Sequence, residues 1–243
     1  MVKFYSNDTV YDYGFSTVSL AYFLRYPNPY ARHVASTDTI ERSYDPETQR
    51  LTTVRLHLKR SRLPPAVVKL LPRSYLGNAG EDGRTQSFIL ERSVVDVKNG
   101  VMQSESRNLD WNNVLSVIEK HRYERPKALA EGAGWNEETT NVNISVTLKS
   151  RIGEQIRKQR ARWGEQATAT SVSGGEEEAP RRGLFSSWGQ GAIRTAIETI
   201  SLQRTEKSQP KAQKGMKVVL ERLRHGGLVE VLEGMRADRE VEI

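Results

Sequence analysis

The chain contains no cysteine, which excludes disulfide staples, thiolate nucleophiles and Cys-ligated metals while leaving the redox compartment open. No apolar run approaches the roughly 18 residues that a membrane-crossing helix requires. Hydrophobic residues make up only 37% of the 243, against 28% charged, so part of the chain lacks the apolar content to pack. The length still allows one large domain or two small ones. Catalytic motifs are missing as well. His33, His57, His121 and His225 are scattered without HExxH spacing, and there is no GxSxG elbow and no GxxxxGK[ST] loop. Gly189-Gln190-Gly191 is a fragment of a dinucleotide fingerprint with no convincing strand before it. These absences predict no enzyme, no catalytic residues, no metal and no cofactor. The opening MVKFYSNDTVYDYG lacks the apolar stretch of a secretory signal, and one Lys with two Asp is unlike an Arg-rich, acid-poor transit peptide. The glycosylation triplets at Asn7 and Asn143 then read as chance occurrences.

Positive charge is what the sequence has in excess: 37 Lys and Arg against 30 Asp and Glu, a formal +7. Such a surface favours nucleic acid, acidic lipid headgroups or acidic proteins, and charge alone does not choose among them. VKFYSNDTVY suits a strand. Asp12 is placed to cap a helix over residues 14–26, with Phe15, Val18, Tyr22 and Tyr26 on one face. Residues 32–43 and 50–60 read as two strands around Asp45-Pro46-Glu47-Thr48. In the second, Leu51, Thr53, Arg55, His57 and Lys59 share one face, and Thr52, Val54, Leu56 and Leu58 the other. SRLPPAVVKLLPRS reads as a short amphipathic helix between prolines, and residues 76–84 as a Gly-rich loop. A hairpin follows around Lys98-Asn99-Gly100, then strands in NVLSVIEKHRYER and ETTNVNISVTLKSRI. Residues 164–187 are small, polar and charged, which predicts a disordered insertion. Helical periodicity returns with Ile193, Ile197 and Ile200, then Met216, Val219 and Leu223. Pro210 predicts a kink or break between them, and Gly226-Gly227 an end, leaving residues 227–243 as a tail. The order predicts a single α+β domain over residues 1–226, a curved antiparallel sheet with a long C-terminal helix against its concave face. Such a grip leaves room for an apolar ligand pocket.

Two strings carry candidate chemistry. The cluster Arg55, Lys59, Arg60, Arg62, Lys69 and Arg73 contains no acid, which most often marks a solvated face. AVVKLL sits inside it, and apolar residues flanked by cations suit an anionic bilayer surface. By composition, membrane and nucleic-acid contact remain equal readings. Arg25-Tyr26-Pro27-Asn28-Pro29-Tyr30 is a helix stop with two prolines, or a rigid corner holding Arg25 at the mouth of a cavity.

At this string the sequence resembles the PRELI domain family, the phospholipid transfer proteins of the mitochondrial intermembrane space. RYPNPYARHV matches the family's corner. DTIER, TTVRL and the Lys-Arg-Ser-Arg-Leu-Pro run match the strands and lid that follow, ERSVVD and SRNLDW the later hairpin, and KGMKVVLERL the end of the final helix. The resemblance covers residues 1–125 well and 190–224 more loosely. It implies a START-like helix grip with a short lid helix, and a carrier of phosphatidic acid between the outer and inner membranes, with phosphatidylserine as the alternative cargo. A basic nucleic-acid-binding domain is the alternative of another class, although stacking aromatics are sparse beside the cations. The implied headgroup residues are Arg25, His33, Lys59 and Arg62, with Arg194 aligned to a basic position of the final helix. Residues 63–74 match the lid, whose apolar residues are Leu63, Val67, Val68, Leu70 and Leu71. The implied partners are a small twin-cysteine protein forming a heterodimer, which keeps the carrier soluble, and peripheral contact with anionic mitochondrial membranes; no nucleic acid is expected. The insertion, the Gly-rich loop and Pro210 depart from the family pattern.

Overall fold

The computed structural model describes residues 2–63, 84–126, 138–151 and 190–240. Of the expected lid residues only Leu63 falls among them. Val67, Val68, Leu70 and Leu71, nearly all of the Gly-rich loop and the whole of the 164–187 insertion lie outside.

Among the described residues nine elements follow one another: β1 (Val2–Tyr11), α1 (Phe15–Phe23), β2 (Val34–Asp45), β3 (Arg50–Arg62), β4 (Arg84–Asp96), β5 (Val101–Asn108), β6 (Leu115–Glu124), β7 (Thr140–Ser150) and α2 (Gln190–Glu240). The strands form one sheet in the order β1-β7-β6-β5-β4-β3-β2, antiparallel throughout. Strands 2 to 7 are thus a meander of neighbouring pairs, and β1 closes against β7. The β4–β5 hairpin turns where Asn-Gly predicts it: Gly100 takes φ +62°, and Asp96 accepts from the Asn99 backbone at 2.9 Å and from its side chain at 3.0 Å. α1 and α2 cover the inner face of this curved sheet, giving the α+β helix grip.

Cross-strand partners point to the same side of a sheet, so the register divides the inner face into rows. One row is Leu51, Val95, Met102, Tyr123 and Val142. It forms the apolar floor on which Phe15, Val18 and Tyr22 of α1 and Met216, Val219 and Leu220 of α2 pack. Burying each such side chain contributes about 1.5–3 kcal/mol. The next row, Thr53, Ser93, Ser104, His121 and Ile144, is largely polar. The one beyond it, Arg55, Glu91, Ser106, Glu119, Val146 and Tyr5, is charged. Polarity therefore rises along the inner face. The inward face of β3 is its polar one, whereas Val54, Leu56 and Leu58 are half-buried on the outer side.

α2 is anchored at both ends. Ile193 and Ile197 are buried near its start, and Met216, Val219 and Leu220 near its C-terminal half. Between them, over residues 201–208, no side chain is buried, and Gln209 is the one buried residue of the middle. The helix spans the charged row like a bridge. It also runs through Pro210 with helical backbone angles, against the predicted break. The missing N–H and ring clash cost about 3 kcal/mol in an isolated helix, which the packing on both sides offsets. Gly227 does break the helix: φ +64°, ψ −147° is glycine territory. The chain then re-enters helix instead of trailing off as a tail. Val231 is fully buried in the core and Arg222 bonds Asp238 at 2.7 Å. At the other end Asp12 does not cap α1; Gly14 stands at that position without a side-chain bond.

Gly215 marks the closest approach of α2 to the RYPNPY corner, because a Cβ there would lie 2.6–2.9 Å from the Asn28 side chain. Gly215→Ala should therefore destabilise the fold by about 1–3 kcal/mol through overpacking. Asn28→Ala in the same background should recover part of that loss in urea unfolding, a non-additivity expected only of groups in contact.

Candidate functional site

The charged row is built around Glu91, whose side chain is 1% exposed. Its Oε1 accepts from Nη2 and Nε of Arg55 at 2.6 and 2.9 Å, and its Oε2 from Nη2 of Arg25. His57 Nε2 lies 3.4 Å from the same Oε2, while its Nδ1 meets Thr37 Oγ1 at 2.9 Å. The Tyr22 ring lies beneath both guanidiniums, with Cζ of Arg25 at 3.9 Å and of Arg55 at 5.1 Å from its centroid. Burial alone would raise the Glu91 carboxyl. Arg25, the His57 hydrogen bond and Arg55 outweigh it and hold the group well below the usual carboxylate range.

The corner after α1 places Arg25 there. Asn28 donates to the Arg25 carbonyl at 2.6 Å and accepts from the Tyr30 backbone at 2.8 Å, across a cis Tyr26–Pro27 bond. The string is thus a helix stop and an arginine mount at once, but Arg25 sits deep on the inner face and not at a rim. Its Nε is buried with no hydrogen-bond partner among the described residues.

Lys59 follows Arg55 and His57 on the inward face of β3. It is enclosed by protein yet only half-buried, as expected of a side chain lining a cavity and not packed in a core. Desolvation lowers its pKa, while Glu119 opposes and Arg204 of α2 adds to the fall. Glu119, on β6, behaves likewise. It is enclosed, but its side chain keeps 31% exposure. Its Oε1 accepts from His121 Nε2 and from Gln209 Nε2, both at 2.8 Å. Burial would raise this carboxyl, but His121, Gln209 and Arg25 bring it down to about 2. His33 adjoins the cluster: its backbone carbonyl accepts from Arg60 N–H at 2.7 Å. Partial desolvation, then the charges of Lys59 and Lys211 on α2, push its imidazole down although one side stays exposed.

Of the expected headgroup residues, Arg25 and Lys59 therefore stand on the inner face of the sheet, with His33 exposed but within electrostatic reach of Lys59. Arg62 is placed elsewhere. It is exposed at the end of β3 and, three positions from Lys59 in a regular strand, points to the outer face. Arg194 bonds the buried Glu198 at 3.2 Å, near the β7 terminus, where Glu198 also accepts from Ser150 N–H. That is ten residues, about 15 Å of helix, from Arg204. Glu91, Glu119, Gln209, Arg204 and Lys211 were not singled out by sequence reasoning. The available signals were the register facing Glu91 to Arg55, and the seven-residue spacing that puts Arg204 and Lys211 on one helical face. A trough of about 450 Å³, lined by Arg92, Arg107, Lys120 and Arg122 among others, lies largely on the outer face and reaches His121, the partner of Glu119. Among the described residues no group of His, Asp or Glu is arranged to hold a metal ion.

Glu91 serves two guanidiniums, so its removal strands two buried cations. Glu91→Ala should cost about 3–5 kcal/mol at pH 7, and Arg25→Met less, because Arg55 still pairs the carboxylate. The contribution of Glu91 is complete above the unfolded carboxyl value of about 4.3 and is lost as pH falls below it toward the depressed native value. Urea unfolding from pH 7 to 3 should accordingly show a shallower acid limb in Glu91→Gln. The same pairing means that Arg25→Glu, which would face one buried carboxylate with another, tests the fold before it tests the site.

Residues 16–159 match the model of the PRELI-like family. The chain is 33% identical over 187 residues to the protein ups1 homolog of Schizosaccharomyces pombe, covering 76% of this chain and 94% of that one. It is 32% identical over 157 residues to Protein UPS1, mitochondrial, of Saccharomyces cerevisiae, covering 65% and 83%. To the human PRELI domain-containing protein 1, mitochondrial, it is 28% identical over 148 residues, covering 61% and 62%. With a family model matched over more than half its length, on a sheet gripping a C-terminal helix, this chain belongs to the PRELI-like family.

Proposed function

We propose that this protein is a lipid carrier that moves phosphatidic acid between the outer and inner mitochondrial membranes across the intermembrane space. The observation that carries the reading is the placement of Arg25 and Lys59 on the inner face of the sheet, with Arg204 and Lys211 exposed on α2 but within electrostatic reach of Lys59 and His33. A buried phosphate needs converging, charge-assisted donors. Val146 and Leu148 of β7, with Ile193 and Ile197 of α2, supply buried apolar walls beside it. Such a device binds and releases without covalent chemistry. The names of the relatives in budding yeast and human place those proteins in mitochondria. No helix among the described residues is long and apolar enough to cross a membrane. A carrier of this kind meets the bilayer peripherally, and the small twin-cysteine protein of the family is its proposed partner.

The test is lipid transfer between donor and acceptor vesicles by the purified chain, alone and with that partner, across headgroups. Phosphatidic acid should move fastest. Lys59→Gln should reduce its transfer about tenfold, the loss of one charge-assisted bond to phosphate, with the unfolding midpoint unchanged because no carboxylate depends on Lys59 as its hydrogen-bonded partner. Faster movement of phosphatidylserine would transfer the assignment to that headgroup, and undiminished transfer by Lys59→Gln would remove the site.

A further inference from the structure

The outer face of the sheet carries an apolar row that stays open to solvent. Leu58 of β3 stands opposite Phe88 of β4. Leu109 follows at the end of β5, its N–H donating to the Phe88 carbonyl at 2.9 Å. Phe88 is 43% and Leu109 46% exposed. The turn after β5 is built to hold them there. Asp110 accepts from the Phe88 N–H at 2.6 Å, where the β5 ladder has ended, and Asn108 donates to the Asp110 carbonyl at 2.6 Å and to the Leu115 carbonyl at 2.9 Å. Trp111 in the same turn takes φ +64°, a left-handed conformation that a bulky residue keeps only when its surroundings impose it. This turn is the SRNLDW string of the sequence, which the cations of the inner face leave unused. The next outward row is Leu56, Leu90, Arg107 and Ile118. Arg107 is exposed between the half-buried Leu90 and Ile118, and Arg60 is exposed on the same strand parity as Leu58. No ion pair reaches Arg60 or Arg107 among the described residues. Lys120 and Arg122, elsewhere on this face, are paired with Glu105 and Glu124 at 3.2 and 3.1 Å. The nearest acids in the register are Asp38, opposite Leu56 and bonded to Ser36, and Asp110, which serves Phe88.

We infer that this end of the outer face docks the protein on an anionic bilayer, with Phe88 and Leu109 entering the headgroup layer and Arg60 and Arg107 meeting lipid phosphates. Apolar side chains flanked by unpaired cations are the arrangement that such a surface selects. The small area decides against a permanent protein partner. Leu58, Phe88 and Leu109 fall far short of the roughly 20–30 residues a side of a stable interface. A bilayer receives each side chain singly and adds about fivefold in affinity for each cation near its surface. Leu58 and Arg60 flank Lys59 in β3 and face the other way, so the docking face and the inward lysine lie on two sides of one strand end. The inference rests on the carrier reading for its need of a membrane and adds the surface that meets it.

Because the chain has no cysteine, one introduced thiol carries an environment-sensitive dye at a single known place. The probes are phosphatidylcholine vesicles with and without phosphatidylglycerol, an anionic diester that is not the proposed cargo. Labelled Leu109→Cys should shift its emission to the blue on the anionic vesicles only. Labelled Gln103→Cys, exposed near the start of β5, should keep its aqueous emission. In flotation with the same vesicles, Arg60→Gln with Arg107→Gln should bind at least about tenfold more weakly, two charges at about fivefold each. Phe88→Gln with Leu109→Gln should bind about tenfold more weakly as well, a loss that persists at high salt because burial of apolar surface is not screened. Should the Phe88 pair fail to fold, the label at Leu109 and the arginine pair still decide. Wild-type affinity in the arginine pair, or equal shifts of the two labels, overturns the inference. So does wild-type vesicle binding by the Phe88 pair with lost retention of the twin-cysteine protein, which would make the row a protein interface. Vesicle binding that depends on this face without lipid transfer keeps the docking surface and removes the carrier reading; transfer with binding that ignores this face does the reverse.

Discussion

A single buried carboxylate organises the inner face. Glu91 stands in the middle of the sheet with guanidiniums on two sides, and neither Arg25 nor Arg55 could be withdrawn from water without it. Through Arg25 it ties the end of α1 to β4, and through Arg55 it ties β3 to β4 beyond their backbone ladder. The Tyr22 ring beneath both cations joins this polar knot to the apolar floor. The inward face of β3 can be polar because Glu91 neutralises its buried cation; in the apolar row the inward positions are filled by Val, Met, Tyr and Leu.

The second constraint is the bridge of α2. A helix packed along its whole length would close the space over the charged row. One packed only at its end would swing. Burial at Ile193 and Ile197, and again at Met216, Val219 and Leu220, holds both ends and leaves the middle raised over polar side chains. Gly215 lets the helix touch Asn28, so that the element carrying Arg204 and Lys211 is registered against the corner that mounts Arg25. The cations thus come from three separate stretches of chain, positioned by one sheet register and one helix–corner contact.

The strands were legible in the sequence because period-two alternation and turn chemistry act locally. Asn-Gly at 99–100 and Asp45-Pro46 mark hairpins whatever lies above them. Which face of β3 turns inward was not legible, because the apolar face is ordinarily the inward one and only the distant Glu91 reverses it. A lone acid in an alternating strand looks solvated, so Glu91 and Glu119 gave no local signal. The inward placement of Lys59 was legible through alternation, and that of Arg25 through the corner string. Arg62 stands on the opposite strand parity from Lys59, and Arg194 pairs with Glu198 lower on α2, placements that the resemblance does not specify. Pro210 misled for a related reason: its local penalty is real, but packing at Ile193 and Met216 decides the course of the helix.

The mixture of charges suits an object that must be stable both empty and loaded. Among the described residues Arg25, Arg55 and Lys59 share the inner face with Glu91 and Glu119, an excess of one positive charge, while Arg204, Glu206 and Lys211 are exposed on α2. Without these carboxylates the cations would repel in the empty protein and hold any anion too tightly to release it. A site of no net charge would not repay the dehydration of a phosphate. The proposed phosphomonoester headgroup carries between one and two negative charges near neutral pH, so its arrival would bring this face close to neutrality. The internal carboxylates thereby set the strength of binding as much as the cations do, and they set it low enough for a cargo that has to leave.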